Sequence, residues 1–335
     1  MAVGTIVTII LVLGVGLLAF LLVKTVVLPK RAAMARNYLN KNDLLKAIRN
    51  AKAAIEKDPL DVEAHYLLGK AYLADKREEL AFKEYRSASR LGIAGKNIPE
   101  TEFRETLASL YAKFNEEEEA LKEYVLLIKQ HPESPEYYYN AGKLFNSRGR
   151  SDLAGQYIQK AISLNPKEAR YRFELGMNYY LSRKFKEAST EFDAAIKLDP
   201  SDSQSLLYMG KALKDSKDYA AALPYLEKAT HDQEYRLRSL VESGGCYMSL
   251  KMIDKATQEL ERAVNNIVKE AEPDSLYARY FLAMCYEKTK EYAKAIAQWD
   301  KIYAQKRNFR DVGEKLAQYS EYRTGTVEKE SGAKP

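Results

Sequence analysis

The residue types that could do chemistry are few in this sequence and lie far apart. The three histidines, His65, His131 and His231, fall in three separate stretches. A zinc site needs several Cys, His or carboxylate ligands at short spacings, and neither a Cys-x-x-Cys nor a His-Glu-x-x-His segment occurs. The glycines form no Gly-rich phosphate loop. We therefore predict no catalytic residue, no metal and no cofactor, and we expect that the protein is not an enzyme.

A repeated unit of about 34 residues organises most of the chain. Its clearest copy is built from Leu175, Gly176, Tyr179, Ala188, Phe192, Ala195 and Pro200. The first three share one face of a helix, and the missing side chain of Gly176 allows a second helix to approach closely. The next three follow a helical spacing and form one apolar stripe, after which Pro200 ends the second helix. The pattern predicts two helices packed through Gly176.

Further copies appear when the sequence is shifted in steps of that length. Eight copies result, over roughly residues 28–309. Two steps stretch to roughly 39 residues, at 91–100 and 265–275, which predicts longer loops or longer helices there. Gly244 and Gly245 look like a loop but fall inside the helix contact of the seventh copy. Residues 310–323 form one further predicted helix that caps the last copy, and the polar residues 324–335 are predicted to be disordered.

The repeated unit resembles the tetratricopeptide repeat (TPR), which has a Leu-Gly-x-x-Tyr core, a later Ala-x-x-x-Phe, and then Ala and Pro. The resemblance implies an all-α fold, a right-handed superhelix or α-solenoid of about eight helix-turn-helix repeats. It also implies that the first helices line a concave groove and that the protein binds protein partners there.

The resemblance places groove residues three positions before and one position after the small residue of each copy. The earlier position gives Tyr66, Tyr139, Phe173 and Leu207, the later one gives Lys70, Lys143, Met177 and Lys211, and Asn146 lies on the same helical face as Tyr139 and Lys143. Apolar side chains beside a partly basic row suit an extended or helical partner segment with apolar and acidic residues. Packing between neighbouring repeats explains each single residue equally well.

The N-terminal residues form a second strong pattern. Residues 1–23 contain no charged side chain, and about 20 apolar residues in a helix cross a hydrocarbon core of roughly 30 Å. We therefore predict a transmembrane helix at residues 1–28, followed by the solenoid at 29–309. A cleaved secretory signal is the alternative, but it would have a basic start and a shorter apolar run.

Positive charge follows the predicted span and does not precede it. Lys24, Lys30, Arg31 and Arg36 flank its C-terminal end. The positive-inside rule then places the repeats in the cytoplasm, as part of a single-pass protein of the inner (cytoplasmic) membrane. Because large domains are translocated in spite of modest flanking charge, a periplasmic solenoid stays an alternative. Lys30, Arg31 and Arg36 either face anionic head groups or only set the topology.

Composition excludes one class of partner. The 53 Lys and Arg residues are interspersed with 47 Asp and Glu residues, for a net charge of +6. Nucleic-acid binding would require basic residues concentrated on one face, so we expect no nucleic acid partner. Cys246 and Cys285 occupy equivalent places of adjacent copies, too far apart for a disulfide, and we expect them to be reduced and buried.

The sequence thus indicates a bacterial membrane-anchored TPR scaffold or adaptor that binds a protein partner beside the membrane. The overall plan is similar to that of the lipopolysaccharide assembly protein B family, although this chain lacks that family's metal-binding cysteines at the C-terminus. The alternative hypothesis is a structural subunit of a cell-envelope machine, such as a flagellar motor collar or a secretion apparatus, with the repeats in the periplasm.

Overall fold

A computed structural model describes residues 31–323 of the chain. The predicted span at residues 1–28, Lys24, Lys30 and the predicted tail at residues 324–335 lie outside the described residues. The described residues divide into two compact units, 31–133 and 134–323, and contain 17 α-helices and no strand. No helix within residues 31–323 is long and apolar enough to cross a membrane.

The first unit consists of three successive helix pairs. Within each pair the two helices pack side by side, and each second helix packs on the first helix of the next pair. The helices are α1 Arg31–Asn40, α2 Leu44–Lys57, α3 Val62–Ala74, α4 Glu78–Leu91, α5 Glu100–Lys113 and α6 Glu117–Gln130.

The second unit continues the same arrangement with five pairs and one further helix. Its helices are α7 Pro135–Ser147, α8 Ser151–Leu164, α9 Ala169–Leu181, α10 Phe185–Leu198, α11 Ser203–Asp215, α12 Tyr219–Ala229, α13 Gln233–Ser249, α14 Ile253–Asn265, α15 Pro273–Lys288, α16 Tyr292–Gln305 and α17 Val312–Gln318. The 17 helices of the described part are therefore eight pairs and one unpaired helix.

Small residues let the two helices of a pair come close together. A Cβ atom built on Gly176 would lie 2.6 Å from the ring of Phe192, on the second helix of the same pair. The same contact is made by Gly69 with Tyr85, and by Gly142 with Ile158. Such distances leave no room for a side chain. The prediction that Gly176 permits close helix packing is therefore confirmed.

The turn that joins the two helices of each pair contains one residue in the left-handed backbone conformation. These residues are Asn42, Lys76, Asn115, Gly149, Arg183, Lys217, Lys251 and Lys290, with φ between 56° and 69°. Their numbers advance by the shorter and longer steps that the repeat predicts. Seven of the eight are not glycine, although a left-handed conformation costs roughly 1–2 kcal/mol for most L-residues.

The two longer steps are built differently. The first contains the loop 92–99, where Gly92 and Gly95 have positive φ and Ile98 is buried. The second combines longer helices, α13 with 17 residues and α15 with 16, with the loop 266–272. Buried Arg279 on α15 donates to both carboxylate oxygens of Glu270, at 2.8 and 2.6 Å, and holds that loop in place.

The predicted helix at 310–323 is shorter in the structure. The α-helix covers only Val312–Gln318, and Ser320–Arg323 form a 3-10 turn. Val312 is fully buried, and Tyr319 stacks on Tyr292 with ring centroids 4.9 Å apart and lies 5.8 Å from Trp299. These contacts cover the outer face of α16.

Candidate binding groove

We call the side of the first helices that carries the predicted groove residues the groove face. Three of the predicted residues on it are buried. Tyr66 is 2% exposed, Tyr139 is 9% exposed and Leu207 is completely buried. The Tyr66 ring packs edge-on against Tyr85, with centroids 5.9 Å apart. Because these three side chains are buried in helix packing, they give no contact area to a partner.

In the first unit, the basic residues of the groove face are paired. Lys70 donates to Glu102 at 2.7 Å and also lies over the ring of Tyr66, 5.5 Å from its centroid. Arg36 forms an ion pair with Glu63 at 2.9 Å and donates to the carbonyl of Asn97 at 2.6 Å. Each cation thus links its first helix to a neighbouring repeat. Arg36, predicted to flank the membrane, is bound within the repeats.

The first-unit candidates also share a small surface cavity of about 280 Å³. Its lining includes Arg36, Asn40, Tyr66, Lys70 and Pro99. The remaining flanking residue of the described part, Arg31, lies at the start of α1, and its guanidinium is 3.5 Å from the amide oxygen of Asn50.

In the second unit, Tyr139 lies under two cations. Lys143 is 5.4 Å and Arg170 is 5.3 Å from the ring centroid. Arg170 also binds both carboxylate oxygens of Glu136, at 3.0 and 2.7 Å, whereas Lys143 is exposed and its only described contact is the ring. Burial raises the pKa of Tyr139 to about 12. Lys143 is therefore the groove cation that remains available to an acidic partner.

Asn146 belongs to a polar network that the sequence did not reveal. Its amide donates to Glu174 at 3.0 Å and its oxygen accepts from Asn178 at 2.7 Å. Asn178 is buried and also donates to the carbonyl of Ser151 at 2.9 Å. This network connects α7 to α9, which gives Asn146 a structural role.

Lys211 is similarly bound to its neighbours. It lies 5.1 Å from the ring centroid of Tyr208 and 3.8 Å from Glu242 on α13. Glu242 also accepts a hydrogen bond from Lys214. Burial is the largest single influence on the pKa of Lys214 and lowers it, but the charge and hydrogen bond of Glu242, together with the charge of Asp215, raise this pKa overall.

Partly exposed apolar side chains remain on the groove face of the second unit. We call Phe173 and Met177 on α9, Met248 on α13 and Met284 on α15 the apolar strip; all four are half-buried. Gly245 is also on this face, and a Cβ built there would have no atom within 4 Å. The prediction that Gly245 lies inside the helix contact is wrong, because only Gly244 lies there, where an added Cβ atom would be 2.5 Å from Leu260.

Side-chain hydrogen bonds and ion pairs within the helix pairs were not predicted from the sequence. A residue of the first helix bonds to the residue 19 positions later on the second helix. The pairs are Arg31 with Asn50, His65 with Glu84, Arg104 with Glu123, Arg172 with Glu191, and Arg279 with Gln298. A search for basic and acidic residues at this fixed spacing within each copy would have found the two Arg–Glu pairs.

Neither the thiols nor the histidines converge. Cys246 and Cys285 are free and buried, as predicted, and burial raises the pKa of Cys246 to about 12. Within residues 31–323, no group of three His, Cys, Asp or Glu residues is arranged to hold a metal ion. His65 Nδ1 lies 2.6 Å from Glu84, and His131 lies 3.1 Å from the Thr101 hydroxyl.

Comparison of the sequence with models of known protein families identifies the family of this chain. A model described as tetratricopeptide repeat matches residues 32–95, 105–169 and 254–310, which together are more than half of the chain. The chain belongs to the tetratricopeptide repeat family. A second TPR model matches residues 169–202, the copy around Gly176. The described part is accordingly an all-helical TPR solenoid.

Curated relatives share part of their length with this TPR chain. It is 26% identical to anaphase-promoting complex subunit 3 of Schizosaccharomyces pombe over 179 residues, 53% of this chain and 26% of that protein. It is 24% identical to lipopolysaccharide assembly protein B of Escherichia coli K12 over 242 residues, 65% of this chain and 60% of that protein. The predicted similarity to the latter family is confirmed, and the chain spans less than two thirds of either relative.

A solved structure supports the TPR fold. The APC/C hetero-tetramer Cut9-Hcn1 matches with a TM-score of 0.54, over 82% of this chain and 52% of that chain. The sequence identity is 16%, so the likeness concerns the fold alone.

Proposed function

We propose that this protein is a membrane-anchored TPR scaffold that binds a protein partner along the apolar strip of residues 134–323. The single observation that carries the binding site is the strip itself, in which half-buried Met and Phe side chains lie on α9, α13 and α15. Methionine side chains are flexible and polarizable, which suits them to contact surfaces. The relatives' names also describe one protein as a subunit of a complex and another as an assembly protein.

The partner chemistry follows from what the groove leaves available. Apolar anchors of the partner would pack on Phe173, Met177 and Met284, and a bulky one would enter the open space at Gly245. A carboxylate of the partner would reach Lys143, because Lys70 and Lys211 lie beside acidic residues of neighbouring helices. We therefore propose an extended or helical segment that combines large apolar and acidic residues.

Membrane anchoring rests on the sequence of residues 1–28, which are apolar and contain one lysine. We propose a single-pass protein of the inner membrane with its repeats in the cytoplasm. A reporter fused after Pro335 tests the topology, since cytoplasmic activity of the reporter supports it. Activity in the periplasm would instead favour the structural subunit of an envelope machine.

Partner capture from detergent extracts tests the binding site. The full chain is compared with the double variant Met177→Glu and Met284→Glu, which charges the strip at two half-buried positions. The matched control is Gln156→Glu with Gln258→Glu, at two exposed positions of second helices. We expect the strip variant to lose the proteins that the wild type and the control retain. Equal capture by all three would refute the strip as the contact surface.

A cavity between two second helices and the first helix that separates them in the chain provides the competing surface. It measures about 580 Å³ and lies among α12, α13 and α14, with Leu223, Pro224 and Tyr247 in its lining. If Leu223→Glu abolished capture and the strip variant did not, the partner would bind on this side of the solenoid.

A further inference from the structure

The turns that join first to second helices in the second unit form a basic edge. We call residues 148–150, 182–184, 216–218, 250–252 and 289–291 the turn edge. Six exposed cations on it form no ion pair with any described residue: Arg150, Arg183, Lys184, Lys217, Lys251 and Lys290. Arg170, Arg172 and Arg238 elsewhere in this unit are paired with carboxylates. Lys160, Lys167 and Lys306 are exposed without an ion pair to a described residue, as the six are, but they do not share one edge with them.

Four of the six cations lie at turn positions where the backbone is in the left-handed conformation. Arg183, Lys217, Lys251 and Lys290 have φ values from 59° to 69°, where glycine or asparagine fits with less strain. In the first of the five turns, Gly149 occupies the equivalent position with φ 68°. Side chains held in an unfavourable conformation are a reason to look for a function that needs them.

The opposite edge has the opposite charge. The turns 165–168, 199–202 and 230–232 contain four carboxylates, Glu168, Asp199, Asp202 and Asp232, and one lysine, Lys167. Two of these carboxylates, on Asp202 and Asp232, cap the following helices. In the second unit, cations therefore outnumber carboxylates on the turn edge, which also contains Asp218 and Glu291, whereas carboxylates outnumber cations in the turns 165–168, 199–202 and 230–232.

Apolar side chains stand beside the cations. Leu181, 61% exposed, precedes Arg183 and Lys184, and Met252, 40% exposed, follows Lys251. A row of cations with interspersed exposed apolar side chains is the composition that binds the boundary between head groups and acyl chains.

From these observations, we propose that the turn edge of residues 134–323 lies on an anionic phospholipid surface. The six cations contact the lipid phosphates, and Leu181 and Met252 enter the head-group boundary. The proposal rests on the proposed function in that the chain is held beside a bilayer. It adds that the repeats themselves bind the lipid, with each cation near the surface strengthening the contact about fivefold.

Fluorescence quenching in nanodiscs tests this contact with the full chain. Ser249→Cys places a dye at the end of α13 beside the turn edge, and Ser201→Cys places one at the opposite edge. Cys246 and Cys285 are buried, so the wild type serves as the blank for labelling. The discs contain spin-labelled lipid head groups in either neutral phosphatidylcholine or a mixture with phosphatidylglycerol.

We expect strong quenching of the dye at 249 in anionic discs, and weak quenching in neutral discs or at position 201. The triple variant Arg183→Glu, Lys217→Glu and Lys251→Glu should lower the contact equilibrium by at least a hundredfold. The control, Lys160→Glu, Lys167→Glu and Lys306→Glu, changes three exposed lysines elsewhere in the unit and should behave like the unaltered sequence.

Two results would overturn the proposal. The first is equal quenching in anionic and neutral discs. The second is binding of poly-L-glutamate that depends on the three edge cations without any lipid contact, which would assign the edge to an acidic protein. Failure of the chain to enter discs at all would instead refute the anchoring part of the proposed function.

Discussion

Helix α13 contains two adjacent glycines whose surroundings are opposite. Gly244 lies in the contact with α14, where a Cβ atom would come within 2.5 Å of Leu260. Gly245 lies on the groove face, where a Cβ atom would meet nothing within 4 Å. The same residue type therefore serves helix packing at one position and leaves open space at the next. This comparison separates the packing surface of the repeat from the surface that is free to bind.

The largest effect should come from filling the packing position. In Gly244→Ala the new methyl group overlaps Leu260, which costs about 1–3 kcal/mol in overpacking. Helical preference of alanine over glycine offsets roughly 0.5–1 kcal/mol of this. We expect a net loss of about 1–2 kcal/mol in the free energy of unfolding, measured by urea denaturation. An unchanged or higher stability would mean that the two helices are not in close contact at Gly244.

A third glycine, Gly149, lies in a turn and tests the cost of its left-handed backbone conformation. Gly149→Ala places a Cβ at φ 68° and should lower the free energy of unfolding by about 1 kcal/mol. Lys217→Gly, at φ 69° in an equivalent turn, should raise the free energy of unfolding by a few tenths of a kcal/mol. The reason is that relief of backbone strain in the folded state outweighs the added conformational freedom of the unfolded chain. Thermal unfolding of both variants measures this, and a loss of stability in Lys217→Gly would contradict the strain assigned to these turns.

The groove position should respond with the sign opposite to that of Gly244→Ala and with a smaller effect. Gly245→Ala adds a methyl group to open space and should stabilise α13 by about 0.5–1 kcal/mol. Because both alanine variants gain the same helical preference, the difference between Gly244→Ala and Gly245→Ala isolates the steric contact. If Gly245→Ala destabilised the chain as much as Gly244→Ala, the groove face would be a packing surface as well.

Sequence reasoning predicted the packing surface well. The contact between Gly176 and Phe192 follows from spacing within the repeated unit, because each repeat must bury the same apolar stripe against its neighbour. The spacing also predicted the positions of the two longer steps. It did not predict the bidentate hydrogen bond between Arg279 and Glu270, because this bond depends on the path of a loop that has no counterpart in the other repeats.

The groove face was predicted less well. Tyr139 and Leu207 occupy the expected register, but their side chains lean into the helix contact and are buried. Lys211 lies at the predicted position on the groove face, but its ammonium group is paired with Glu242 on α13 of the neighbouring repeat. A repeat pattern identifies which face a residue shares, whereas exposure and pairing depend on particular neighbours in the next repeat.

Site-specific photo-cross-linking most directly tests the claim that the groove face of the second unit binds the partner. A benzophenone amino acid is placed at Met284 on the apolar strip, and at Gln258 on α14 as the control on the side of the second helices. We expect a cross-linked partner from position 284, none from 258, and loss of the product when Gly245→Trp fills the open space. Cross-linking from 258 alone would show that the partner binds the side of the second helices and not the groove face.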